Sequence, residues 1–551
     1  MQTGAMGKIL PSRFVPFVLC VLICAVSLAM LWDGWIWRWI AGISGLLVIV
    51  GIVDMTATRH TLRRNFPLTA HLRTFFEYFR PMLRQYVVEA DTEEVPYSHA
   101  QRSLVYQRAK NVEDKRPFGT ELDLYATQYE WINHSLAPAK IDSHDFRIDI
   151  GGDACKQPYS ASVFNISAMS FGALSANAIR ALNEGARRGH FYHDTGEGSI
   201  SCYHREHGGD LCWEIGSGYF GCRNPDGTFS EERFVENAIS PQVKMIEIKL
   251  SQGAKPGHGG VLPAAKVSRE ISEARGVPQG IDCVSPARHS AFSTPIGLLE
   301  FVQRLREKSG GKPTGFKLAL GHPWEWFGIA KAMQQSGILP DFIVVDGGEG
   351  GTGAAPLEFT DHVGAPLREA LLLVHNTLVG LNLRDKIRIG ASGKVITGFD
   401  LARMFALGAD WCNAARGFMF ALGCIQSQTC HTDHCPTGVA TQDPGRWKKL
   451  NVPDKAERVK TFHDNTLKAL KEMIAASGLT HPNELGPEHI VRRVSSTEVR
   501  SLSALYHFVK PGELLDGTAD HAVFKVFWDA ARPDTFAAPR TVLELQHTKM
   551  R

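Results

Sequence analysis

The sequence predicts an α/β protein built on a closed (β/α)8 (TIM) barrel, with a two-helix transmembrane hairpin before it and a helical extension after it. Three patterns predict this arrangement: a long uncharged run near the N-terminus, a series of short β-branched runs alternating with helical patterns, and polar helical spacing towards the C-terminus. We divide the chain into the hairpin (1–60), a mixed helical segment (61–150), the barrel (151–445) and the C-terminal extension (446–551).

The predicted hairpin consists of two apolar runs separated by a short polar turn. Residues 14–32 carry no charge over nineteen positions, which is about the length that crosses a hydrocarbon core of ~30 Å. Asp33-Gly34 interrupts the run, and a second one follows over 35–53, broken by Arg38 alone. Tryptophans at 32, 35, 37 and 39 are typical of an interfacial aromatic belt. A cleaved signal peptide is the alternative, but the second run and the lack of a small-residue cleavage site argue against it.

Basic residues flank the hairpin on both sides. Lys8 and Arg13 precede it, and Arg59, Arg63 and Arg64 follow it. By the positive-inside rule both flanks are cytoplasmic. The sequence therefore predicts a multi-pass protein of the cell (inner) membrane with its catalytic body in the cytoplasm.

The barrel is predicted from near-continuous apolar strands, each followed by a glycine-rich loop and a helical pattern. Such strands indicate a parallel sheet covered by helices, and their number over roughly 260 residues suits a closed barrel. No GxGxxG fingerprint follows the first strand, which argues against a dinucleotide-binding open sheet. The runs lie at 163–169, 244–250, 314–320, 341–348, 386–393 and 409–417.

Composition narrows the class of protein further. Hydrophobic residues make up 44% of the chain and charged residues 21%, which is typical of a globular protein. The net charge is only +3, whereas a nucleic-acid-binding domain is usually strongly basic, so we expect no nucleic-acid partner. The 11 cysteines lack disulfide-framework spacing, which favours reduced thiols.

Three of those cysteines form the sharpest local motif. Cys424, Cys430 and Cys435 have C-x5-C-x4-C spacing with a proline after the last, which fits an iron–sulfur loop. Three thiols favour a [3Fe–4S] cluster, or a [4Fe–4S] cluster with an open corner. The alternatives are zinc, with His431 or His434 as a fourth ligand, and buried inert thiols. The looser series Cys202, Cys212 and Cys222 is interpreted as ordinary buried cysteines.

The cysteine segment ALGCIQSQTCHTDHCPTGVATQDP (421–444) resembles the iron–sulfur loop of the glutamate synthase family. The resemblance continues through ISAMSFGALS (166–175), GEG (196–198), IKLSQGAKPGHGG (248–260) and GGTGAAPL (350–357), in the family's order. More narrowly, the chain resembles stand-alone synthase domain proteins that lack the glutaminase domain.

The resemblance implies that the barrel binds FMN. Lys317, in an apolar strand, would face the electron-rich N1/O2 edge of the flavin, as the family's strand lysine does. Glycine-rich backbone after the last two strands would cradle the phosphate, although plain turns are the alternative. The expected cofactor-binding residues are Ala168, Met169, Ser170, Gly172, Lys317, Gly350, Gly351, Thr352, Gly353, Gly390, Ser392, Gly393, Ala414, Ala415 and Arg416.

The resemblance also implies a 2-oxoglutarate site. Gln252 and Lys255 match the family residues that hold this oxo acid, and Arg275 is a second candidate clamp. Cations suit a dicarboxylate. Glu197 is the candidate carboxylate near the reacting carbon or the ammonia entry, and capping of loop N–H groups is its alternative role. We predict Glu197 and Lys255 as catalytic residues.

The implied reaction is reductive amination of 2-oxoglutarate to L-glutamate, with electrons reaching the flavin through the cluster. Ammonia would come from solution or from glutamine through a separate subunit. No pyridine-nucleotide motif is seen, so a ferredoxin or a flavoprotein subunit is the expected electron donor. The alternatives are a synthase of another amino acid and a membrane-anchored FMN/Fe–S electron-transfer protein.

Some residues depart from the family pattern. In LCWEIGSGYFG (211–221), the family's Lys, Gln and Arg are replaced by Trp213, Glu214 and Tyr219. A family Glu near Pro295 is also absent. Such changes could alter the substrate or the amine donor.

Overall fold

The computed structural model describes residues 11–86, 96–112, 114–115, 117–540 and 542. Lys8 of the predicted N-terminal flank and the last residues of the predicted extension lie outside these ranges. A closed barrel of eight parallel strands forms the centre of the molecule. The strands, here β1 to β8, are Phe164–Ile166, His193–Asp194, Leu211–Ile215, Val243–Lys249, Thr314–Leu318, Phe342–Asp346, Arg388–Ser392 and Trp411–Ala414.

The barrel prediction is confirmed: five of the eight strands fall within the predicted runs, and a sixth, β4, begins one residue before its run. β2 is only two residues long, and both β2 and β3 carry polar or charged side chains into the barrel, so their apolar signal is weak. Helices follow the strands and cover the sheet, as parallel β/α connections require.

The α-helices are Val15–Ala29, Trp35–Thr56, Thr61–Asn65, Thr69–Tyr86, His99–Ala109, Ala176–Gly189, Cys202–Arg205, Glu231–Ala238, Arg269–Arg275, Pro295–Lys308, Pro323–Ser336, Leu357–His362, Leu367–Gly380, Gly398–Ala406, Arg416–Leu422, Pro444–Trp447, Val452–Ala476, Leu502–Leu505 and Ala522–Phe527. Short 3-10 turns cover Ser12–Phe14, Ala264–Lys266, Cys430–Thr432, Pro482–Glu484 and Pro487–His489.

An antiparallel pair, Arg147–Ile150 with Tyr159–Ser162, closes one end of the barrel. Ile150 and Tyr159 pack with the interior side chains of Met245 and Trp411, among others. This end of the barrel is filled with apolar side chains, and the cavity described below opens at the opposite end, where the strands finish.

The C-terminal extension is mainly helical, and its longest helix, Val452–Ala476, packs on the barrel helix Ala176–Gly189. Two strands of the extension, Ile490–Arg493 and Val499–Ser501, form an antiparallel sheet with Glu130–Ile132. Glu130 in this sheet is 5% exposed and binds Arg368, Arg403 and Arg492. The segment before the barrel and the extension after it are therefore joined by ion pairs. A remaining pair, Val261–Leu262 with Cys283–Val284, lies in the loops after β4.

Two N-terminal helices are long and apolar enough to cross a membrane, by length and composition. The first, continuous with a 3-10 turn, covers Ser12–Ala29, and the second covers Trp35–Thr56. They pack on each other: a Cβ at Gly51 would lie 2.3 Å from the ring of Phe17, so only glycine permits this approach. Trp32, Trp35 and Trp39 are exposed near the turn between the helices.

Candidate active site

A cavity of about 390 Å³ opens where the barrel strands end. This is the end of a (β/α)8 barrel that carries the ligand-binding loops. The predicted catalytic, cofactor-binding, substrate-binding and metal-ligating sets each contribute residues to its lining. They are Ala168, Met169, Ser170, Glu197, Gln252, Lys255, Arg275, Lys317, Gly350, Gly351, Thr352, Gly353, Ser392, Gly393, Ala414, Ala415, Arg416, Cys424 and Cys430.

Three predicted residues do not line the cavity. Gly390 lies within β7, where a Cβ would come within 2.6 Å of the Trp411 ring, so its lack of a side chain serves packing inside the barrel. Gly172 has φ +107 and lies against Leu262 and Arg275. Cys435 is 4% exposed, with its Sγ 3.5 Å from Thr437 Oγ1.

Three cations and one carboxylate meet on one wall of the cavity. Lys249, the last residue of β4, lies 3.2 Å from the Glu197 carboxylate and donates to Gln252 Oε1 at 2.9 Å. Lys255 Nζ donates to the carbonyl of Ala354 at 2.9 Å. Arg275 donates to Ser170 Oγ at 3.3 Å and to the carbonyl of Phe171 at 3.1 Å. The wall therefore has two positive charges in excess.

The charges on this wall hold Glu197 in its ionised form. Burial raises the pKa of Glu197, but Lys249, Arg275 and Lys255 outweigh burial, so the net pKa is lowered. Burial lowers the pKa of Lys255, and the neighbouring carboxylate partly offsets that effect. Glu197 also contacts Ser285 Oγ at 3.5 Å. It is thus an ion-pairing carboxylate as well as a lining residue.

Lys317 has carboxylate neighbours inside the barrel. Its Nζ binds Glu214 and lies 3.4 Å from Glu247 Oε2, and all three side chains are at most 5% exposed. Burial, followed by Glu214, raises the pKa of Asp194 to about 7. Burial also raises the pKa of Glu247 well above its usual range. Although burial alone would lower the pKa of Lys317, these three acids and Asp346 raise it well above the usual range.

The ends of β1 and β7 lie close together, and so do the loops after β6 and β8. Ser392 Oγ lies 3.3 Å from Ser167 Oγ, and Arg416 donates to the carbonyl of Glu349. A Cβ at Gly351 would lie 2.9 Å from the guanidinium of Arg416. Arg416 stacks 4.7 Å from the ring centre of Tyr97, which fixes the side chain at the cavity rim. Glycine is therefore needed where this backbone meets the arginine.

The cysteine loop borders the same cavity. Burial raises the pKa of Cys424 to about 12 and raises that of Cys430, and each thiol is influenced by Cys435. Lys266 donates to the carbonyls of Cys430 and Ala440 at 2.8 and 3.2 Å. The loop is thus held next to the cavity by a buried cation.

The loop cysteines are not among the close groups of metal-ligating atoms. Within the described part of the chain, the group whose ligand atoms all lie within 4.8 Å of one another is Asp194, Cys212 and Glu247. His431 and His434, the alternative zinc ligands, are both exposed.

Sequence reasoning missed Lys249, Glu214 and Lys266. Lys249 stands in the IKLSQGAKPGHGG motif, and its position at a strand end could have identified it. Glu214 was noted as a departure, but its contact with Lys317 joins β3 to β5 and is invisible in one sequence. Trp213 is fully buried and stacks on Phe234, away from the cavity.

The structure also shows the surroundings of Tyr219 and of the looser cysteine series. Tyr219 is buried, and its hydroxyl accepts from the Ala291 N–H at 3.0 Å. Of the looser cysteine series, Cys212 and Cys222 are buried, but Cys202 is exposed, so its interpretation as a buried thiol is wrong.

A parallel barrel with a cationic cavity at the strand ends defines the class of (β/α)8 barrel proteins built to bind anionic ligands. A family model described as "Conserved region in glutamate synthase" matches residues 125–480. This match covers more than half of the chain, and the protein belongs to the glutamate synthase family.

Relatives of known name are similar over different lengths. The chain is 36% identical over 516 residues to the glutamate synthase large subunit-like protein YerD of Bacillus subtilis, covering 85% of this chain and 98% of that protein. It is 35% identical over 314 residues to an archaeal-type glutamate synthase [NADPH] of Thermotoga neapolitana, covering 57% and 59%. The archaeal glutamate synthase [NADPH] of Methanocaldococcus jannaschii is 35% identical over 315 residues, covering 57% and 58%. The chain thus spans somewhat over half the length of the latter two. Such homologues place the chain among oxidoreductases.

Proposed function

We propose that this protein is a membrane-anchored glutamate synthase-type oxidoreductase that converts 2-oxoglutarate and externally supplied ammonia to L-glutamate. The charge balance of the cavity wall carries the proposal. Lys249, Lys255 and Arg275 outnumber Glu197 by two charges, and 2-oxoglutarate carries two carboxylates. Charge-assisted hydrogen bonds from such cations are the strong ones in proteins.

FMN fits the rest of the cavity. Gly351 and Gly393 allow the backbone to approach a bound ring or phosphate, Ser392 offers a hydroxyl, and Arg416 offers a cation at the rim. Reduced FMN, when bound, would supply hydride to the imine carbon of 2-iminoglutarate. This chain's own residues bind the oxo acid, orient its carboxylates and exclude water that would hydrolyse the imine.

Cys424, Cys430 and Cys435 are the proposed ligands of an iron–sulfur cluster that passes single electrons. The position of Cys424 and Cys430 at the cavity, with Cys435 in the same loop, supports this assignment. We propose a [3Fe–4S] cluster because the loop supplies three cysteines, with a [4Fe–4S] cluster as the alternative. The proposed donor is a ferredoxin or a flavoprotein subunit.

Binding of the oxo acid by the holoprotein tests this proposal. Isothermal titration should give clear binding of 2-oxoglutarate and at least tenfold weaker binding of 2-oxobutyrate, which has one carboxylate, since an ionic hydrogen bond contributes about 1.5–3 kcal/mol. As a control, Lys140→Ala removes a lysine whose side chain is 91% exposed and lies outside the cavity. This variant should bind both oxo acids as the wild type does. Equal binding of both oxo acids would contradict the assignment.

One observation favours a second function, electron transfer between a membrane pool and a soluble partner. Arg13, at the start of the first apolar helix, lies 3.3 Å from Asp443, eight residues after Cys435. The anchor therefore contacts the segment that follows the cysteine loop. Flavin that is reduced by a membrane donor but ignores 2-oxoglutarate with ammonium would favour this role.

A further inference from the structure

The base of the apolar hairpin is bound to the body by basic residues. Arg64 donates to the carbonyl of Lys449 at 3.0 Å, and Lys449 Nζ donates back to the carbonyl of Arg64. Arg458 donates to the carbonyl of Arg59 at 3.2 Å. Lys449 also lies 4.2 Å from the ring centre of Phe14. The membrane end and the body thus share one surface.

This surface carries more positive than negative charge. We use the term basic collar for Arg59, Arg63, Arg64, Lys110, Lys448, Lys449 and Arg458. Among the described residues, the carboxylates that form ion pairs next to it are Asp443, with Arg13 and Arg446, and Asp454, with Lys455 and Arg458.

Burial and neighbouring cations lower the pKa of two lysines of the collar. Burial, with Arg13 and Arg64, lowers the pKa of Lys449 to about 8. Burial, with Arg458, lowers the pKa of Lys110. The exposed members Arg59, Lys110 and Lys448 can reach an outside anion.

An amphipathic helix begins next to the collar. Asp54, near the end of the second apolar helix, is 2% exposed and accepts from the Leu68 N–H at 3.0 Å and from His71 at 2.9 Å. These bonds fix the start of helix Thr69–Tyr86 at the hairpin base. Leu72, Phe75 and Phe76 lie on one face of this helix and are 59%, 54% and 58% exposed.

We propose that the basic collar and the apolar face of helix Thr69–Tyr86 form one binding surface for anionic phospholipid. Leu72, Phe75 and Phe76 lie at the acyl boundary, and the collar binds the headgroup phosphates. An amphipathic helix and a polybasic cluster beside a membrane span are two features that bind anionic lipid. The inference rests on the proposed membrane anchoring and deepens it.

A lipid-selectivity measurement tests the collar. The full-length protein is purified from mixed micelles with equal phosphatidylglycerol and phosphatidylcholine, and the retained lipids are counted. We expect enrichment of phosphatidylglycerol that falls with added salt. The triple variant R59Q/R63Q/K448Q should lose the enrichment. The control K140Q/K468Q/K471Q, in and beside the far half of helix Val452–Ala476, should keep it. Equal retention of both lipids by the wild type, or an undiminished enrichment in the collar variant, would overturn the proposal.

Photocrosslinking in vesicles with phosphatidylglycerol tests the helix and separates it from the anchor. Benzoylphenylalanine is placed at Leu46 of the hairpin, at Phe76, and at the exposed body residue Leu136. We expect lipid adducts at 46 and 76 but not at 136. Adducts at 46 without adducts at 76 would overturn the helix assignment and leave the anchor intact. No adducts at 46 would refute the anchor itself, and this inference with it.

Discussion

Replacing Lys317 with methionine removes the cation that balances the buried acids of the barrel. Lys317 lies 3.4 Å from Glu247 and binds Glu214, with Asp194 in the same cluster. At an effective dielectric constant of 20, one such pair at this distance interacts by about 5 kcal/mol. Removal of one partner from a buried pair typically costs about 3–5 kcal/mol. We therefore expect Lys317→Met to lower the free energy of unfolding by about 3–5 kcal/mol at pH 7.5.

The cost of Lys317→Met should depend on pH. The pKa of Asp194 is about 7 in the folded protein, above its usual value of 3.8. A raised carboxyl pKa gives stability that is present below the unfolded pKa and is lost as pH rises through the folded pKa. Without Lys317 these acids hold their protons to higher pH, so the stability continues to fall as the pH rises above 7. We expect a smaller difference from the wild type at pH 5.5 than at pH 7.5.

Urea unfolding of the holoprotein at the two pH values, with flavin content recorded, measures this effect. The double variant Lys317→Met/Glu214→Gln should recover part of the loss, because one unpaired carboxylate is removed. Lys312→Met is the matched control: Lys312 is a buried lysine just before the same strand, and its Nζ donates to the carbonyls of Ala238 and Ser240. Burial lowers the pKa of Lys312 to about 8, which is above both pH values, so the cost of the control should change little between them. An unchanged stability of Lys317→Met at pH 7.5, or a loss independent of pH, would refute the reasoning.

Three further changes test the site. Lys255→Ala should weaken 2-oxoglutarate binding about 10–100-fold in a titration, since one ionic hydrogen bond is lost; unchanged affinity would remove Lys255 from the site. Gly253→Ala places a Cβ 1.7 Å from the carbonyl oxygen of Gly347, so it should lower both Tm and oxo-acid affinity, whereas Gly321→Ala, with nothing within 4 Å, should not. Cys→Ser at all three loop positions should abolish iron and sulfide, as measured by elemental analysis, and leave flavin bound. Cys202→Ser should retain iron, sulfide and flavin. Stoichiometric zinc in the wild type would contradict the cluster. The loop positions are Cys424, Cys430 and Cys435.

The barrel could be predicted because most of its strands are visible in the sequence as short β-branched runs. β6, Phe342–Asp346, is apolar on both faces, so a single segment suffices to indicate a buried parallel strand. β2, His193–Asp194, could not be found this way because its two residues are polar and are held by neighbours rather than by propensity. Strand Ile490–Arg493 of the extension pairs with Glu130–Ile132 across some 360 positions, a contact that no local pattern contains.

The candidate site could also be predicted from the sequence only in part. Gly351 was predicted from its glycine-rich motif, which marks backbone that a ligand can approach, and Lys255 was predicted from the resemblance to the glutamate synthase family. The partners of these residues were not. Glu214 meets Lys317, and Lys249 meets Glu197, only after the barrel closes. Gly390 shows the converse: a glycine in a motif whose reason is the ring of Trp411.

Anaerobic reoxidation of the dithionite-reduced holoprotein tests the central claim most directly. 2-Oxoglutarate is added with ammonium, and then with glutamine, while the flavin spectrum and the glutamate formed are followed. Reoxidation with one glutamate per flavin on ammonium alone is the predicted result. A flavin spectrum that ignores both mixtures, or a purified protein without flavin, would contradict the account.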